Sequence, residues 1–480
     1  MDNFKRRAVV SLFSSYASQF ATTATNLATK LLLARLISPS DLGTYALALL
    51  VLMACDLFID LGVSQHLTRE EERPYGNVLL MRLVSASILY CLIQLFAQHA
   101  NFWGTQFPPV LKVLSIVMII KAASWVPNVF IDRELIIHRS VLPQFARLLV
   151  NGILSVFLAR LHMGVWALVY GTIAGEVIFG IAIWKAAWKR IPLEFTWRHT
   201  LALVSGSRFL LLIAIMGFAL QQGDIAIIGS VLNSKQVGYY TMAYTFVVMV
   251  SKIIETSIYR VIYPTFCEYK NSEYDLGRIY RQATLIITAI EAPIYFFLFF
   301  NAQTLVPVFL GKKWIPAAAL MQGLSITGII NPFSTFGSEV LRAKGMDRTL
   351  TLSTVISAVT FVVSGYFLTR HFGAIGMVAA NYIIVGSIPI VWSVYKMLKT
   401  DFQRLCRELA IVYTSALAVM WIAAWVFSSH RLIGSAVAGL LMLMCWYIYY
   451  KKLFNNVGSN SVSMLFSFRR SEAREAGVES

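Results

Sequence analysis

The sequence predicts an all-α, polytopic membrane protein with about 14 transmembrane helices, arranged as two pseudo-repeated six-helix bundles plus two C-terminal helices. Composition is the first reason. Of the residues, 58% are hydrophobic and 14% charged, with a mean hydropathy of +0.67, whereas soluble domains carry roughly 25% charge. Second, Gly, Pro and charge clusters divide the apolar residues into fourteen stretches, each near the about 20 residues that a helix needs to cross a bilayer. The third is an internal echo. SPSDLGTYALA at 38–48 aligns with NSKQVGYYTMA at 233–243 at a constant offset of 195, placing Gly43 on Gly238, Tyr45 on Tyr240 and Ala48 on Ala243. A second echo, Gly164 with WALV against Gly373 with AIGMV, has an offset of 209.

In a soluble protein a net charge of +17 would suggest a nucleic-acid partner. Here the Lys and Arg residues crowd into the N-terminus, every second connection and the C-terminus, and are sparse in the alternate connections. By the positive-inside rule both termini are cytoplasmic, and no nucleic acid is implied. The opening MDNFKRR leads into an apolar run interrupted by Gln19, Asn26 and Lys30, which reads as a retained first span rather than a cleaved signal.

The fourteen stretches are 9–33, 44–61, 78–97, 110–130, 143–161, 164–184, 208–231, 238–262, 281–302, 317–341, 349–369, 374–395, 405–427 and 432–450. The first is unusually polar: Ser15, Ser18, Thr22, Asn26 and Thr29 recur at steps of three or four, which puts them on one helix face. Such a face either hydrogen-bonds a neighbouring helix or walls a wet cavity. The second stretch repeats the device with Asp56, Asp60 and Ser64; a place in the headgroup zone suffices for Asp60 and Ser64, but Asp56 lies too deep for that. Single-face polar sets recur in the fourth stretch (Lys121, Ser124, Asn128) and the fifth (Arg147, Asn151, Ser155). The sixth holds GTIAGE at 171–176, a small-xxx-small pattern that signals close helix packing and leaves Glu176 unexplained.

Residues 185–207 form the longest internal connection, between a bundle at 1–184 and a second at 208–400. Its Trp188, Trp197, Lys185, Lys189, Arg190 and Arg198, with Trp184 just before it, suit an amphipathic segment at the cytoplasmic interface. The seventh and eighth stretches make a hairpin in which Asp224 sits inside the first helix and Gly238 and Tyr240 open the second. Lys252 and Glu255 follow at a spacing that lets them pair along the helix. Glu291 precedes Pro293, and Asn331 precedes Pro332, where a broken helix would free backbone carbonyls. The last four stretches are nearly free of charge and read as scaffold; 401–454 holds the two additional helices, and 455–480 reads as a disordered tail.

Five scattered cysteines (Cys55, Cys91, Cys267, Cys406, Cys445) define neither a disulfide framework nor a metal site. No histidine has ligand spacing, and there is no P-loop, G-x-S-x-G or dinucleotide fingerprint. No cofactor or metal is therefore expected, and no enzyme. What is present is charge at membrane depth, which costs at least ~2.5–3.5 kcal/mol per group near the bilayer centre and so must be paired or face a cavity. These groups are Asp56, Lys121, Glu176, Lys252 and Glu291 near the midplane and Asp224 to one side of it, with Arg82, Arg147 and Arg260 about one turn inside the cytoplasmic ends.

Four motifs carry a resemblance: L-x-x-P-x-x-x-G-x-Y at 36–45, D-x-x-x-x-G-x-x-L-x-x-x-x-x-G-x-Y from Asp224, YPTF at 263–266 and GKKWIPAAALMQGLSI at 311–326. In this order and spacing the chain, over residues 8 to about 450, resembles the Wzx-type flippases, the polysaccharide-transporter branch of the multidrug/oligosaccharidyl-lipid/polysaccharide exporter superfamily. The resemblance implies a V-shaped cavity that opens alternately to either side of a bacterial inner membrane. It also implies a polyprenyl-pyrophosphate-linked oligosaccharide as substrate, and a polysaccharide polymerase and chain-length regulator as possible partners. On that reading Lys121, Lys252, Arg82, Arg147, Arg260, Asn26 and Asn151 hold the pyrophosphate and sugar, while Asp224, Glu255, Asp56, Glu176 and Glu291 couple or gate, with H+ or Na+ as conceivable drivers. An ion-coupled multidrug antiporter of the same fold is the alternative. A membrane glycosyltransferase or polymerase is the rival from another class, and the short periplasmic connections argue against it.

Overall fold

The structure is a computed structural model that describes residues 22, 25–60, 75–99, 103–134, 136, 138–187, 208–386 and 388–426, with isolated helical positions between 434 and 446. Side chains are not described at 138, 208–213, 250–261, 273, 384–386, 400 and 424. Among the described residues every regular element is a helix, and ten helices are long and apolar enough to cross a membrane. Much of the first and last predicted stretches lies outside the described residues.

In chain order, α1 spans 25–36, α2 Pro39–Asp60 and α3 Tyr75–Phe96. A transverse break at Ser115 divides the next span into α4 (Phe107–Leu114) and α5 (Ile116–Arg133). There the Ser115 hydroxyl and the Gln94 amide both donate to the Lys112 carbonyl (2.7 and 2.9 Å), satisfying a group that the interrupted ladder leaves over. An antiparallel pair follows, α6 (His138–Arg160) and α7 (Val165–Ala187). Next come α8 (Arg208–Val231), α9 (Ser234–Glu268), α10 (Glu273–Phe309), α11 (Pro316–Ala343) and α12 (Asp347–Phe372). The last elements are α13 (Ala374–Gly386), α14 (Ile388–Met397) and α15 (Lys399–Val426).

Two features differ from expectation. The connection at 263–280 is helical apart from 269–272, so α9 and α10, at 35 and 37 residues, are each more than about 50 Å long at 1.5 Å per residue. A hydrocarbon core is about 30 Å thick, so both helices outrun it. The helices also continue through Pro293 and Pro332 rather than breaking there. Near Pro332 the α11 backbone is braced from outside instead: Tyr413 donates to the Ile329 carbonyl (2.8 Å) and Tyr280 to the Phe333 carbonyl (3.2 Å).

The chain forms two compact units. One comprises Met1–Met242, Pro307–Ala317 and Val362–Met377, the other Ala243–Val306, Ala318–Phe361 and Val378–Ser480. In the first unit the sequence echo becomes geometry. A Cβ on Gly43 would run into the Ser234 carbonyl, and one on Gly238 into the Pro39 carbonyl. The echo maps Pro39 onto Ser234, so α2 and α9 cross backbone to backbone in a reciprocal, pseudo-two-fold contact, with the Ser40 and Ser234 hydroxyls 3.2 Å apart. The second echo marks two equivalent turns: Gly164 and Gly373 sit at φ +56 and +65 just before α7 and α13, in the left-handed region that glycine enters without penalty.

The GKKW motif closes another reciprocal arrangement. The Trp314 indole N–H donates to the Ala34 carbonyl (2.7 Å) and the Lys313 ammonium to that of Arg35 (3.0 Å), while Arg35 donates to the carbonyls of Val308 and Phe309 (2.8 and 3.1 Å). Each helix end thus supplies cations or donors to the last carbonyls of the other, which have no partner within their own helix. Burial pulls the Lys313 ammonium below its ordinary pKa, and the Asp41 carboxylate opposes that shift.

The second unit is tied by Arg281 on α10, which pairs with Glu408 (2.7 Å) and lies 3.8 Å from Asp401, both on α15. Its glycines admit aromatic rings: Tyr295 packs on Gly328, and Tyr382 donates to the Gly323 carbonyl (2.8 Å).

The glycine crossing yields a direct test. Gly43→Val or Gly238→Val forces a side chain into backbone and is expected to cost roughly 1–3 kcal/mol or more, read as a lowered melting temperature in detergent. Gly217→Ala, on a helix position where a Cβ meets nothing within 4 Å, is expected to hold or raise it.

Candidate functional site

Five helices of the first unit converge on a cavity of about 460 Å³. Asp56 and Asp60 enter from α2, Arg82 from α3, Lys121, Trp125 and Asn128 from α5, Gln144 and Arg147 from α6, and Glu176 and Phe179 from α7. The periodicity that placed these residues on single faces explains their convergence, because each helix turns its polar stripe inward and its apolar faces to neighbours or lipid. Below the cavity Tyr75, Val78, Phe130 and Ile183 form an apolar cluster that fixes α3, α5 and α7. The small residues of GTIAGE let α7 close on α6, where a Cβ on Gly175 would lie 2.9 Å from the Arg147 carbonyl and 3.0 Å from the Asn151 Cβ.

Three cations face three carboxylates. Arg82 pairs with Asp60 in a short contact, Lys121 lies 3.7 Å from Asp56, and Arg147 lies 3.2 Å from Glu176. Two guanidinium groups also lie over rings: Arg82 is 4.3 Å from the Trp125 centroid and Arg147 5.0 Å from that of Phe179. Such stacking orients a planar cation while leaving its edge for an oxyanion. The site is therefore charged yet balanced, its cations strung along the depth of the bundle. Counted along their helices, Arg82 and Arg147 lie nearer the helix ends at Tyr75 and His138, and Lys121 lies further in.

Of the residues singled out in the sequence, Asp56, Arg82, Lys121, Ser124, Asn128, Arg147 and Glu176 line this cavity. Asn151 is at the α6–α7 contact, accepting from Ser155 (3.2 Å). Asn26 is exposed on α1. Asp224 is buried in the α8–α9 hairpin, where Tyr240 donates to one carboxylate oxygen (2.8 Å) and the Ile225 N–H to the other (2.7 Å). Glu291 is buried on α10 in the second unit. Lys252, Glu255 and Arg260 fall on α9, but their side chains lie outside the described residues. Asp60, Gln144, Trp125 and Phe179 were not anticipated as cavity residues. For Asp60 the signal was present, four residues after Asp56 on the same face. The aromatic pair had none, since Trp and Phe are ordinary in any span.

An all-helical, multi-pass membrane protein with a charge-paired intrabundle cavity is the class that these features define. The chain belongs to the family described as "Polysaccharide biosynthesis protein", whose model matches residues 32–319. It is similar to the succinoglycan biosynthesis transport protein ExoT of Rhizobium meliloti, 22% identical over 67% of this chain and 66% of that one. It is also similar to the lipopolysaccharide biosynthesis protein WzxC of Escherichia coli, 18% identical over 76% of each, and to the teichuronic acid biosynthesis protein TuaB of Bacillus subtilis, 23% identical over 45% of this chain and 47% of that one. The chain thus spans about two thirds of ExoT and about half of TuaB. Its fold is that of the lipid II flippase MurJ, with a TM-score of 0.75 at 14% identity over 92% of this chain and all of that one. A multidrug-resistance MATE transporter in an inward-facing conformation matches at a TM-score of 0.58 and 17% identity, over 81% of this chain and 95% of that one. None of these proteins bears the name of an enzyme.

The pairing of Arg82 with Asp60 is open to a double-mutant cycle. Asp60→Asn is expected to lower thermal stability, and adding Arg82→Gln to recover part of the loss, with a coupling on the order of 1–3 kcal/mol. Strict additivity would show that the pair does not interact.

Proposed function

We propose that this protein moves a polyprenyl-pyrophosphate-linked oligosaccharide across the bacterial cytoplasmic membrane by alternating access, with both termini in the cytoplasm. The observation that carries the reading is the cavity in which Arg82, Lys121 and Arg147 each hold a carboxylate. An incoming pyrophosphate can take the place of those carboxylates one at a time, so the desolvation of its charge is offset at each depth. The same carboxylates recapture the cations afterwards, which keeps affinity low enough for release. Asn128, Gln144, Trp125 and Phe179 offer amides and aromatic faces to the sugar, while the polyprenyl tail stays in lipid. An inside-negative potential favours outward movement of an uncompensated anion by ~2.3 kcal/mol per charge per 100 mV.

Lys252 and Glu255, one turn apart on α9, would repeat the exchange device from the second half, and Arg260 would add a cation at the cytoplasmic mouth. Asp224, held by Tyr240, serves the hairpin first; a coupling role for it, with H+ or Na+, is part of this proposal and not required by it. Glu291 is a further candidate for coupling. The crossing of α2 and α9 lies at the end of the first unit that the sparse connections assign to the periplasm, and it must part for the substrate to leave. A polymerase and a chain-length regulator would take the product on that side. The relatives named for succinoglycan, teichuronic acid and lipopolysaccharide biosynthesis support the substrate class, and the short connections leave no room for a glycosyltransferase domain.

The reading is tested by delivery of the lipid-linked oligosaccharide to the periplasm. Lys121→Gln with Arg147→Gln is expected to leave an inserted, folded protein whose delivery falls at least tenfold. Normal delivery by that double variant, or export of cationic drugs by the unaltered protein in its place, would favour the antiporter reading instead.

A further inference from the structure

A second, larger groove of about 1,020 Å³ lies between α5 and α7 in the first unit, and its chemistry is the opposite of the cavity's. Ile119, Ile120, Val177, Gly180 and Ile181 make it apolar, and Val177 and Ile181 are 38% and 50% exposed. At one end stand two cations, Arg139 in the first turn of α6 and Lys185 in the last turn of α7. The antiparallel α6–α7 pair turns at 161–164, so both cations lie at the far end from that turn. Trp184 lines the groove beside them and donates its indole N–H to the Ala123 carbonyl (3.0 Å), with the amphipathic character of a residue at the membrane interface.

The groove and the polar cavity share one wall residue, Ser124. That wall is tight. The Ser124 hydroxyl is turned into its own helix, donating to the Ile120 carbonyl (2.7 Å), and a Cβ on Gly180 would lie 2.8 Å from it. A molecule in the groove is thereby separated from one in the cavity. The cations differ as well. Those of the cavity each face a carboxylate, whereas neither Arg139 nor Lys185 makes an ion pair among the described residues. The sequence that follows, 188–207, carries Lys189, Arg190 and Arg198 against Glu194, a net basic stretch.

We propose that the α5–α7 groove is a binding site for an anionic phospholipid, its acyl chain along the isoleucines and its headgroup phosphate on Arg139 and Lys185. Basic rims between transmembrane helices on the cytoplasmic side recognise anionic headgroups in this way, and each cation near the surface contributes about fivefold in affinity. The site rests on the sidedness given above but not on transport, since its occupant does not enter the cavity.

The test uses the full-length protein in lipid nanodiscs and in detergent, with phosphatidylglycerol as probe and phosphatidylcholine of the same chains as control. Native mass spectrometry is expected to show preferential retention of phosphatidylglycerol, weakened roughly 30-fold in Arg139→Gln/Lys185→Gln, a product of two such contributions. A second variant, Val177→Trp, fills the groove while leaving the cations and is expected to lose both lipids. Melting temperatures in lipid-free detergent check that the variants are folded. Equal retention of phosphatidylglycerol by the unaltered protein and both variants would overturn the proposal. So would displacement of phosphatidylglycerol by an equimolar polyprenyl phosphate, which would make the groove a place for the substrate's tail. Failure of the unaltered protein to deliver lipid-linked oligosaccharide, with phosphatidylglycerol retained as expected, would count against the transport reading and leave this site standing.

Discussion

Backbone contact between α2 and α9, without intervening side chains, is the constraint on which the first unit is built. At Gly43 and Gly238 each helix presents a carbonyl to the place where the other would carry a Cβ. Helices with side chains at the contact keep their axes 8–10 Å apart. Two glycines remove that spacing, and they do so reciprocally because the two stretches are copies. The consequence appears one half-turn on. Tyr45 and Tyr240, equivalent in the echo, turn away from the crossing into different surroundings: the Tyr45 hydroxyl is 2.6 Å from that of Thr172 on α7, and Tyr240 donates to Asp224 on α8. The crossing and the two tyrosines therefore bind α2 to α7 and α9 to α8 in a single construction. Asp224, the acidic residue that stands out in its apolar helix, has a structural task there.

Close by, α1 and α10 end against each other through the exchange of donors between Arg35 and the Lys313–Trp314 pair. Helix C-termini carry unsatisfied carbonyls and partial negative charge, and here each end takes donors from the other. This accounts physically for GKKW, a motif with no evident catalytic chemistry. It also makes Trp314 more than packing, since it is fully buried and packs edge-on against Tyr239 with centroids 6.0 Å apart.

Much of this was legible in the chain. The echo flagged the glycines that turn out to form the crossing and the paired turns, because glycine at a fixed offset reports a backbone requirement rather than a preference. Helical periodicity put Asp56, Asp60, Lys121, Ser124, Asn128 and Arg147 on polar stripes that line the cavity, since a polar stripe in a span has few places to go. What it could not supply was the partner: a stripe on α2 states a direction, and only tertiary packing decides that Asp56 meets Lys121 and Asp60 meets Arg82. Hydropathy failed for the opposite reason at 263–280. Glu268, Glu273, Asp275 and Arg278 lie outside the apolar stretches, but charge ends a hydrophobic run without ending a helix: α9 runs on to Glu268 and α10 already starts at Glu273. Pro293 and Pro332 misled in the same direction. In the structure α11 runs on through Pro332, with Tyr280 and Tyr413 donating to the neighbouring carbonyls of Phe333 and Ile329.

In the proposed alternating-access cycle, the charge-balanced cavity works in transport only if the α2–α9 crossing opens and closes. The Ser40 and Ser234 hydroxyls, 3.2 Å apart across it, allow the most direct measurement. Ser40→Cys with Ser234→Cys, in a background whose native cysteines are replaced, should form a disulfide in oxidant. Delivery of lipid-linked oligosaccharide to the periplasm should then stop and return on reduction. Undiminished delivery with the crosslink complete would show that the crossing never parts, and would contradict the account at its centre.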